Sequence, residues 1–445
     1  MTALIDLAEK ALNHAVRLGV DQCDVFVQDS ITRVVEIERS TIATSSVVED
    51  SGISVRAYHR GGLGFAYAMG MDADCAAETA RRAVSLSKKA QPDPQFKSLP
   101  GPSDARPVEG VYDRELAEVS AEGVIRLSED LLNGASEVGG SLVSGIVVVR
   151  DETRCLLNSL GVEVEERGTS SYLSVMSIVR EGDLVGSFAD FDGGRRLRDL
   201  RPYELGRSVS EKARGYLGAR SVKTSDVQLI LGYLPVFWTV MGIVGSCLSA
   251  ESVQRDRSFL AGRLNDRIAS SSLTVTDDGT APNGLGSSTW DGEGVPRRRV
   301  SVVSEGVLKT YLHDSYTAGK AGVESTGHAS RASYRRGVEI APTNIQITPG
   351  DRALEEIIAD TKDGVLIESG ALAPNPVNGE ISTSIDFGFK IEKGEVRYPL
   401  KNAMIGANAA ELLSSIAAVS KDYREEPGSI APAILFDRVR ISGGL

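Results

Sequence analysis

The chain has 445 residues, 41% of them hydrophobic and 25% charged, with a formal net charge of -12. That length exceeds one ordinary core and implies two or three domains; the acidic balance leaves no broad positive field, so no nucleic-acid partner is expected. The four cysteines, Cys23, Cys75, Cys155 and Cys247, are far apart and form no CxxC pair, which argues against a disulfide framework or a zinc-thiolate site and suits a cytoplasmic protein.

At the N-terminus, Ala3, Leu4, Leu7, Ala8, Ala11, Leu12 and Val16 fall at helical spacing, so an amphipathic helix is expected rather than a signal peptide. The following run, from "CDVFVQDSITRVV" to "GGLGFAYA", alternates apolar and polar residues. It reads as an antiparallel meander with turns at Asp29-Ser30, Asp50-Ser51-Gly52 and Arg60-Gly61-Gly62. A helix follows with Ala76, Ala77, Ala80 and Val84 on one face, then a connector, "QPDPQFKSLPGPSDARP", too rich in proline for a regular element. The next segment again reads as helix, hairpins and helix. Its "YLSVMSIVREGDLVGSFA" parallels the earlier "GISVRAYHRGGLGFAYA", which raises the possibility of a duplication.

"GARSVKTSD" then reads as a linker, and beyond it short apolar runs with many Gly, Ser and Thr predict a β-rich domain, including hairpins at Ser304-Glu305-Gly306 and Glu392-Lys393-Gly394. The expected fold class is therefore α+β: an N-terminal α/β region of antiparallel meanders with flanking helices, followed by a β-rich C-terminal domain. The expected division is 1–98, 99–224 and 225–445. The apolar stretch from Val227 to Ala250 is interrupted by Gly232, Pro235 and Gly242 and reads as a buried strand and helix, not a membrane span. The basic clusters "GGRRLRD" and "PRRRV" are short and flanked by acids, and read as solvated loops.

The segment "LPVFWTVMGIVGSCLSAESVQRDRSFLAGR" poses a question. It has the outline of a helix entering a site, with Pro235 near its start, yet its apolar part holds no His, Asp, Glu or Lys. Taken in order, "GISVRAYHRGGLGFAYA", "DDGTAPNGLGSSTWDGEGVPRRRVSVVSEGVLKTYLHDSYTAGKAG", "ESTGHASRASY" and "FGFKIEKGEVRYPLKNAMIGANAAELLSSIAAVSKD" resemble the TldD/PmbA family of peptidase proteins across nearly the whole chain. In the family's metal-binding branch this helix carries a His-Glu pair and a second His five residues on; the same positions here are Val240, Met241 and Gly245. None can serve a zinc ion. The later zinc-ligating Cys is also missing from "EEPGSIAPAILFD".

The resemblance therefore points to the PmbA branch, also called TldE. It implies no metal in this chain, zinc in a TldD-type partner subunit of a heterodimer, and a role in shaping a cleft for unfolded or modified peptides. A homodimeric peptide-binding protein and an independent metal-free hydrolase are the alternatives. His328, with Arg331, Tyr334 and Arg335, reads either as a contact for peptide or a terminal carboxylate or as a loop held by its own hydrogen bonds. His313 beside Asp314 is an oriented base or else a cap or surface pair. Asp291 and Glu293, interleaved with glycines, are paired acids or turn acids that accept backbone donors. Cys247, inside an apolar helix, reads as a packing thiol.

Overall fold

A computed structural model describes residues 3–443. The chain opens with α1 (Ala3–Arg17), the strands β1 (Gln22–Glu38), β2 (Thr41–His59) and β3 (Gly62–Met69), and α2 (Ala73–Lys89). Beyond the Pro-rich connector come α3 (Arg114–Ala117), α4 (Ala121–Ser136), β4 (Ser141–Asn158), β5 (Glu163–Glu181), β6 (Leu184–Gly194) and α5 (Pro202–Gly215). Local signals start the helices: the Asp72 side chain accepts from Cys75 N–H ahead of α2, and Ser120 from Gly123 N–H ahead of α4. Val16, expected on the buried face of α1, is instead exposed, and Ala15 fills that face.

The six strands form one antiparallel sheet, β3-β2-β1-β4-β5-β6, so both segments join in a single layer where β1 pairs with β4. Each side of that junction repeats the order helix, three strands, helix. The strands are far longer than expected, because Asp29-Ser30 and Asp50-Ser51-Gly52 are not turns. They lie opposite each other in the β1–β2 ladder, and the reversal falls at Arg39-Ser40, both at positive φ. The polar side chains are satisfied within the sheet: Ser51 Oγ donates to Asp29 (2.5 Å) and Ser30 Oγ to the Asp50 carbonyl (3.1 Å).

Period-two alternation then divides the sheet into two unlike faces. Cys23, Val25 and Val27 of β1, with Ile53, Val55 and Ala57 of β2, are packed under α1 and α2. Val35, Ile37, Val147, Val149, Leu173 and Val175 form a second core under α4 and α5. The alternate residues, Asp24, Phe26, Gln28 and Ser30 on β1 and Ser54 and Arg56 on β2, are also buried, but under no helix. They are covered by the C-terminal domain.

That domain begins with β7 (Ser225–Leu231), α6 (Tyr233–Gly242), a π-helical turn over Ile243–Cys247, and α7 (Ala250–Gln254). It continues through β8 (Val275–Asp278), β9 (Arg299–Ser304), β10 (Val307–Leu308), α8 (Ser315–Ala321), β11 (Ala329–Ser330), β12 (Glu339–Ile340), β13 (Ile345–Ile347) and α9 (Leu354–Asp360). It closes with β14 (Asp363–Ser369), β15 (Glu380–Ile385), β16 (Phe387–Glu392), β17 (Glu395–Pro399), β18 (Ala403–Asn408), α10 (Ala409–Ser414), β19 (Ile416–Glu426) and β20 (Ser429–Gly443). A mixed sheet runs β10-β9-β8-β13-β20-β7-β14-β16-β17, and β20 also pairs with β18 and β19. The chain is thus α+β, with the β-rich part C-terminal. The β9–β10 turn places Glu305 and Gly306 at positive φ, as a two-residue hairpin requires. Among the described residues no helix is long and apolar enough to cross a membrane.

Two glycines let the outer helices seat on the first sheet. A Cβ on Gly64 of β3 would strike the Ala83 carbonyl and Ser87 amide of α2, and one on Gly186 of β6 would strike the Ala213 carbonyl of α5 and the amide of Leu217 just beyond it. Gly64→Ala or Gly186→Ala should therefore cost about 1–3 kcal/mol through overpacking. Gly215→Ala, whose Cβ meets nothing within 4 Å, should be neutral or stabilise by up to about 1 kcal/mol. Urea unfolding followed by circular dichroism checks the contrast.

Candidate functional site

Helix α6 starts at Tyr233, where the Gly232 amide donates to the Ile367 carbonyl (2.8 Å), so Pro235 falls within the first turn and forfeits a hydrogen bond the helix would not have made. The helix serves packing. Val240 joins Ile243, Val244, Cys247 and Leu248 in the core of the C-terminal domain, Met241 packs against its edge, and Thr239 Oγ1 accepts from Leu372 N–H (2.9 Å). The π turn that follows carries Gly245 against Pro342; a Cβ at 245 would lie 3.3 Å from Pro342 Cδ.

A zinc ion does not fit here. Val240, Met241 and Gly245 offer no imidazole or carboxylate, a longer side chain at 245 would press on Pro342, and among the described residues no group of three His, Cys, Asp or Glu side chains is placed to hold a metal. Cys247 is fully buried, and burial raises its thiol pKa, which leaves it protonated and inert at neutral pH. The other stretch of interest, around Glu426, is occupied by a clamp. Arg424 binds Asp190 of β6 through Nη1 (2.7 and 2.9 Å) and the Phe191 carbonyl through Nη2 (2.6 Å), while its Nε pairs with Glu426.

The buried polar face of the first sheet is where the C-terminal domain docks. Asp24 accepts from Arg56 Nε (2.8 Å) through one oxygen and from Arg331 Nη2 (2.8 Å) through the other; Arg56 Nη2 continues to Glu293 (2.9 Å). Burial alone would raise the Asp24 pKa, but the guanidiniums of Arg331 and Arg56 outweigh it and hold the carboxyl below its ordinary range. Glu293 also accepts from Ser315 N–H (2.8 Å), at the start of α8. Asp291 accepts from the amides of Glu293, Val295 and Ala329 (2.8, 3.0 and 3.1 Å). Burial first, then the neighbouring Glu293, pushes it up to about 6 against the pull of Arg297.

The residues singled out in the loop after α8 are drawn into this interface. Arg331, 2% exposed, also donates to the Gly292 carbonyl (2.6 Å). Tyr334 is fully buried: its ring lies over Gly52, where any Cβ would collide with it, its amide donates to Gln28 (2.9 Å) and its hydroxyl to Asp50 (2.7 Å). Arg335 forms a two-pronged pair with the same Asp50 (2.6 and 2.8 Å). His328 is 1% exposed, with Nδ1 2.9 Å from the Thr326 carbonyl and Nε2 3.5 Å from Asp277. His313 and Asp314 do not act together. Asp314 caps α8 by accepting from Thr317 N–H (2.8 Å), while the buried His313 Nδ1 has no hydrogen-bond partner and burial lowers the ring's pKa.

A cavity of about 520 Å³ opens beside this network, between the β2–β3 hairpin, the connector, α7 and α8. Tyr58 and Phe96 stack at 3.9 Å along its wall, and Arg56 and Asp314 reach its lining. A smaller pocket of about 250 Å³ lies against β4 and β5 and includes Pro342, the residue that Gly245 touches. Sequence reading passed over Asp24, Arg56 and Phe96. The available signal was parity: Asp24 and Arg56 are charges set among apolar strand residues, at positions that turn away from the helical core. The basic clusters also need correction, since Arg195 of "GGRRLRD" and Arg297 of "PRRRV" are half-buried and line the smaller pocket.

Sequence models of three family domains match the chain in order: residues 23–87 the PmbA/TldA metallopeptidase domain 1, 114–217 its central domain, and 225–443 its C-terminal domain. An uncharacterized protein of Methanocaldococcus jannaschii is 27% identical over 443 residues, covering 96% of this chain and 98% of its own length. Metalloprotease PmbA of Escherichia coli is 24% identical, with 98% and 96% covered. Among solved structures, TldE from Thermococcus kodakarensis superposes with a TM-score of 0.88 at 27% identity, over 98% of this chain and all of that one.

The docking network makes a testable demand. Asp24→Asn leaves Arg331 and Arg56 short of buried counter-charge and should destabilise the protein by about 3–5 kcal/mol at neutral pH. Since the folded pKa of Asp24 is depressed, its contribution is present above the ordinary carboxylate value and is lost as pH falls through the folded one. The gap between variant and wild type should therefore close in acid. Thermal unfolding between neutral pH and about pH 3 measures this, with the exposed Arg81–Glu78 pair as a control whose loss changes little.

Proposed function

This chain belongs to the PmbA/TldD metallopeptidase family, and from that premise we propose that it is the TldE-like subunit of a two-subunit peptidase, itself free of metal, whose partner is a TldD-type chain carrying the zinc. Its task is to shape the cleft that holds an unfolded or modified peptide. A zinc ion held by the partner would supply Lewis-acid chemistry toward the peptide carbonyl and an activated water; this chain supplies walls and binding contacts.

One observation carries the reading. Val240, Met241 and Gly245, the positions that the family resemblance matches to metal ligands, are packed in or against the C-terminal core, with Pro342 close to Gly245. A helix that packs in this way and offers no donor suits a subunit that works through another's active centre. The kinship with a solved TldE and with TldD-type metalloproteases, including a TldD homolog of Haemophilus influenzae at 25% identity over 96% of this chain, supports the pairing.

Peptidase activity of the purified chain, alone and mixed with a TldD-type partner, tests it on an unstructured peptide. The chain alone should be inactive and the mixture should cleave. Cleavage by the chain alone would overturn the proposal and turn attention to His313, whose buried Nδ1 has no partner. An inactive mixture in which this chain still binds peptide would favour a homodimeric binding protein.

A further inference from the structure

The two basic clusters come from different halves of the chain, yet Arg195 and Arg297 line the same pocket of about 250 Å³ between β4–β5 and the C-terminal domain. Their hydrogen bonds go to neutral partners. Arg195 donates to the carbonyls of Gly284 (3.1 Å), Thr169 (2.9 Å), Leu285 (2.7 Å) and Ser287 (2.9 Å). Arg297 donates to the carbonyls of Gly327 (2.5 Å) and Ala329 (3.3 Å) and to Ser288 Oγ (3.3 Å). With a further bond from Arg195 Nη1 to the Val111 carbonyl (3.5 Å), all five Arg195 donors are taken, and both guanidiniums are held in place without being neutralised. Partial burial pushes Arg195 down to about 10 and depresses Arg297 as well.

Asp291 and Asp277 lie close enough to Arg297 to offset part of its charge, but the pocket lining itself carries more arginines than acids. Four arginines line the pocket, with Arg150 and Arg154 beside the first two, against the acids Glu152 and Glu166. Glu152 is committed to Arg154 (2.5 Å), Arg150 (3.5 Å) and Gln28. Glu166 accepts from Thr289 N–H (2.8 Å). Arg150 Nε is buried without a partner, and in an adjoining hollow of about 70 Å³ the almost fully buried Arg331 holds its Nη1 unpartnered. Buried donors with no acceptor, in and beside a lining of four arginines and two acids, call for an anion from outside the chain.

We propose that this pocket binds a carboxylate of the peptide held in the cleft, either its C-terminal carboxylate or an Asp or Glu side chain. The proposal rests on the peptide-cleft reading above. Arg195 contributes charge alone, whereas Arg297 bonds one carbonyl through each Nη and keeps a second N–H on each for two-pronged carboxylate recognition, and the volume takes a single residue with its carboxylate rather than a length of chain. Pro342 joins the pocket to the end of α6, so the anchored end of the peptide lies beside the helix that faces the metal position in the family's other branch.

The test is fluorescence anisotropy at low salt with a short, unstructured, N-terminally labelled peptide that lacks Asp and Glu, prepared as the free acid, as the C-terminal amide, and as the amide with one internal Glu. The free acid should bind the purified chain about tenfold more tightly than the amide, about 1.4 kcal/mol. Recovery of affinity by the Glu-containing amide identifies a side-chain carboxylate as an accepted ligand; no recovery identifies the C-terminus alone. Ser170→Asp places a competing carboxylate opposite Arg150 in the β4–β5 ladder and should abolish the preference, as should Arg297→Gln, with circular dichroism confirming that the variants fold. Equal binding of acid and amide, or a preference that survives both substitutions, overturns the pocket while leaving the peptide cleft standing. Failure of every peptide to bind overturns both.

Discussion

Asp24 is 2% exposed on the face of a sheet that no helix covers, and a carboxylate in that position persists only if cations reach it. Arg56 comes from the neighbouring strand and Arg331 from the other end of the sequence. Because Arg56 also holds Glu293 and Glu293 holds the first turn of α8, one buried charge fixes the position of the loops that cover the sheet. The arrangement of the remaining contacts follows from that docking: Tyr334 over Gly52, Arg335 on Asp50, and Arg424 on Asp190 at the far edge. Both cavities open at this seam, where two independently packed layers meet with polar surfaces between them.

The end of α6 is tied to the same seam. Its inner face is part of the C-terminal core, where Val236 and Val240 pack with Ile243, Val244, Cys247 and Leu248. Its π turn sets Gly245 against Pro342, and Pro342 lines the pocket that holds Arg195 and Arg297. Arg195 and Arg297, both held by neutral carbonyls, are the charges this chain presents at that end of the seam.

Much of the fold was legible in the sequence because it depends on short-range periodicity. The helices α1, α2 and α4, the parallel between "GISVRAYHRGGLGFAYA" and "YLSVMSIVREGDLVGSFA", and the hairpin at Glu305-Gly306 all follow from local patterns. What misled was polarity inside long strands. Asp29, Ser30, Asp50 and Ser51 are turn-forming residue types, but here they bond across the β1–β2 ladder and to the loop at Tyr334 and Arg335, which only tertiary structure supplies. The same limit concealed the site. His328 and Arg331 were visible as residue types, but their burial was not, and "GGRRLRD" and "PRRRV" look like solvated loops until the chain folds them toward one pocket. The connector, correctly irregular, had no local signal that Phe96 would stack on Tyr58 and wall the larger cavity.

The claim at the centre of this account is that the chain contributes a metal-free half to a shared peptidase. Native mass spectrometry of the chain mixed with a zinc-loaded TldD-type partner addresses it directly. The account predicts a heteromer carrying zinc, which on gas-phase dissociation releases this chain without metal and leaves the zinc on the partner. Zinc retained on this chain, or no heteromer under conditions where the partner alone stays folded and loaded, would contradict it.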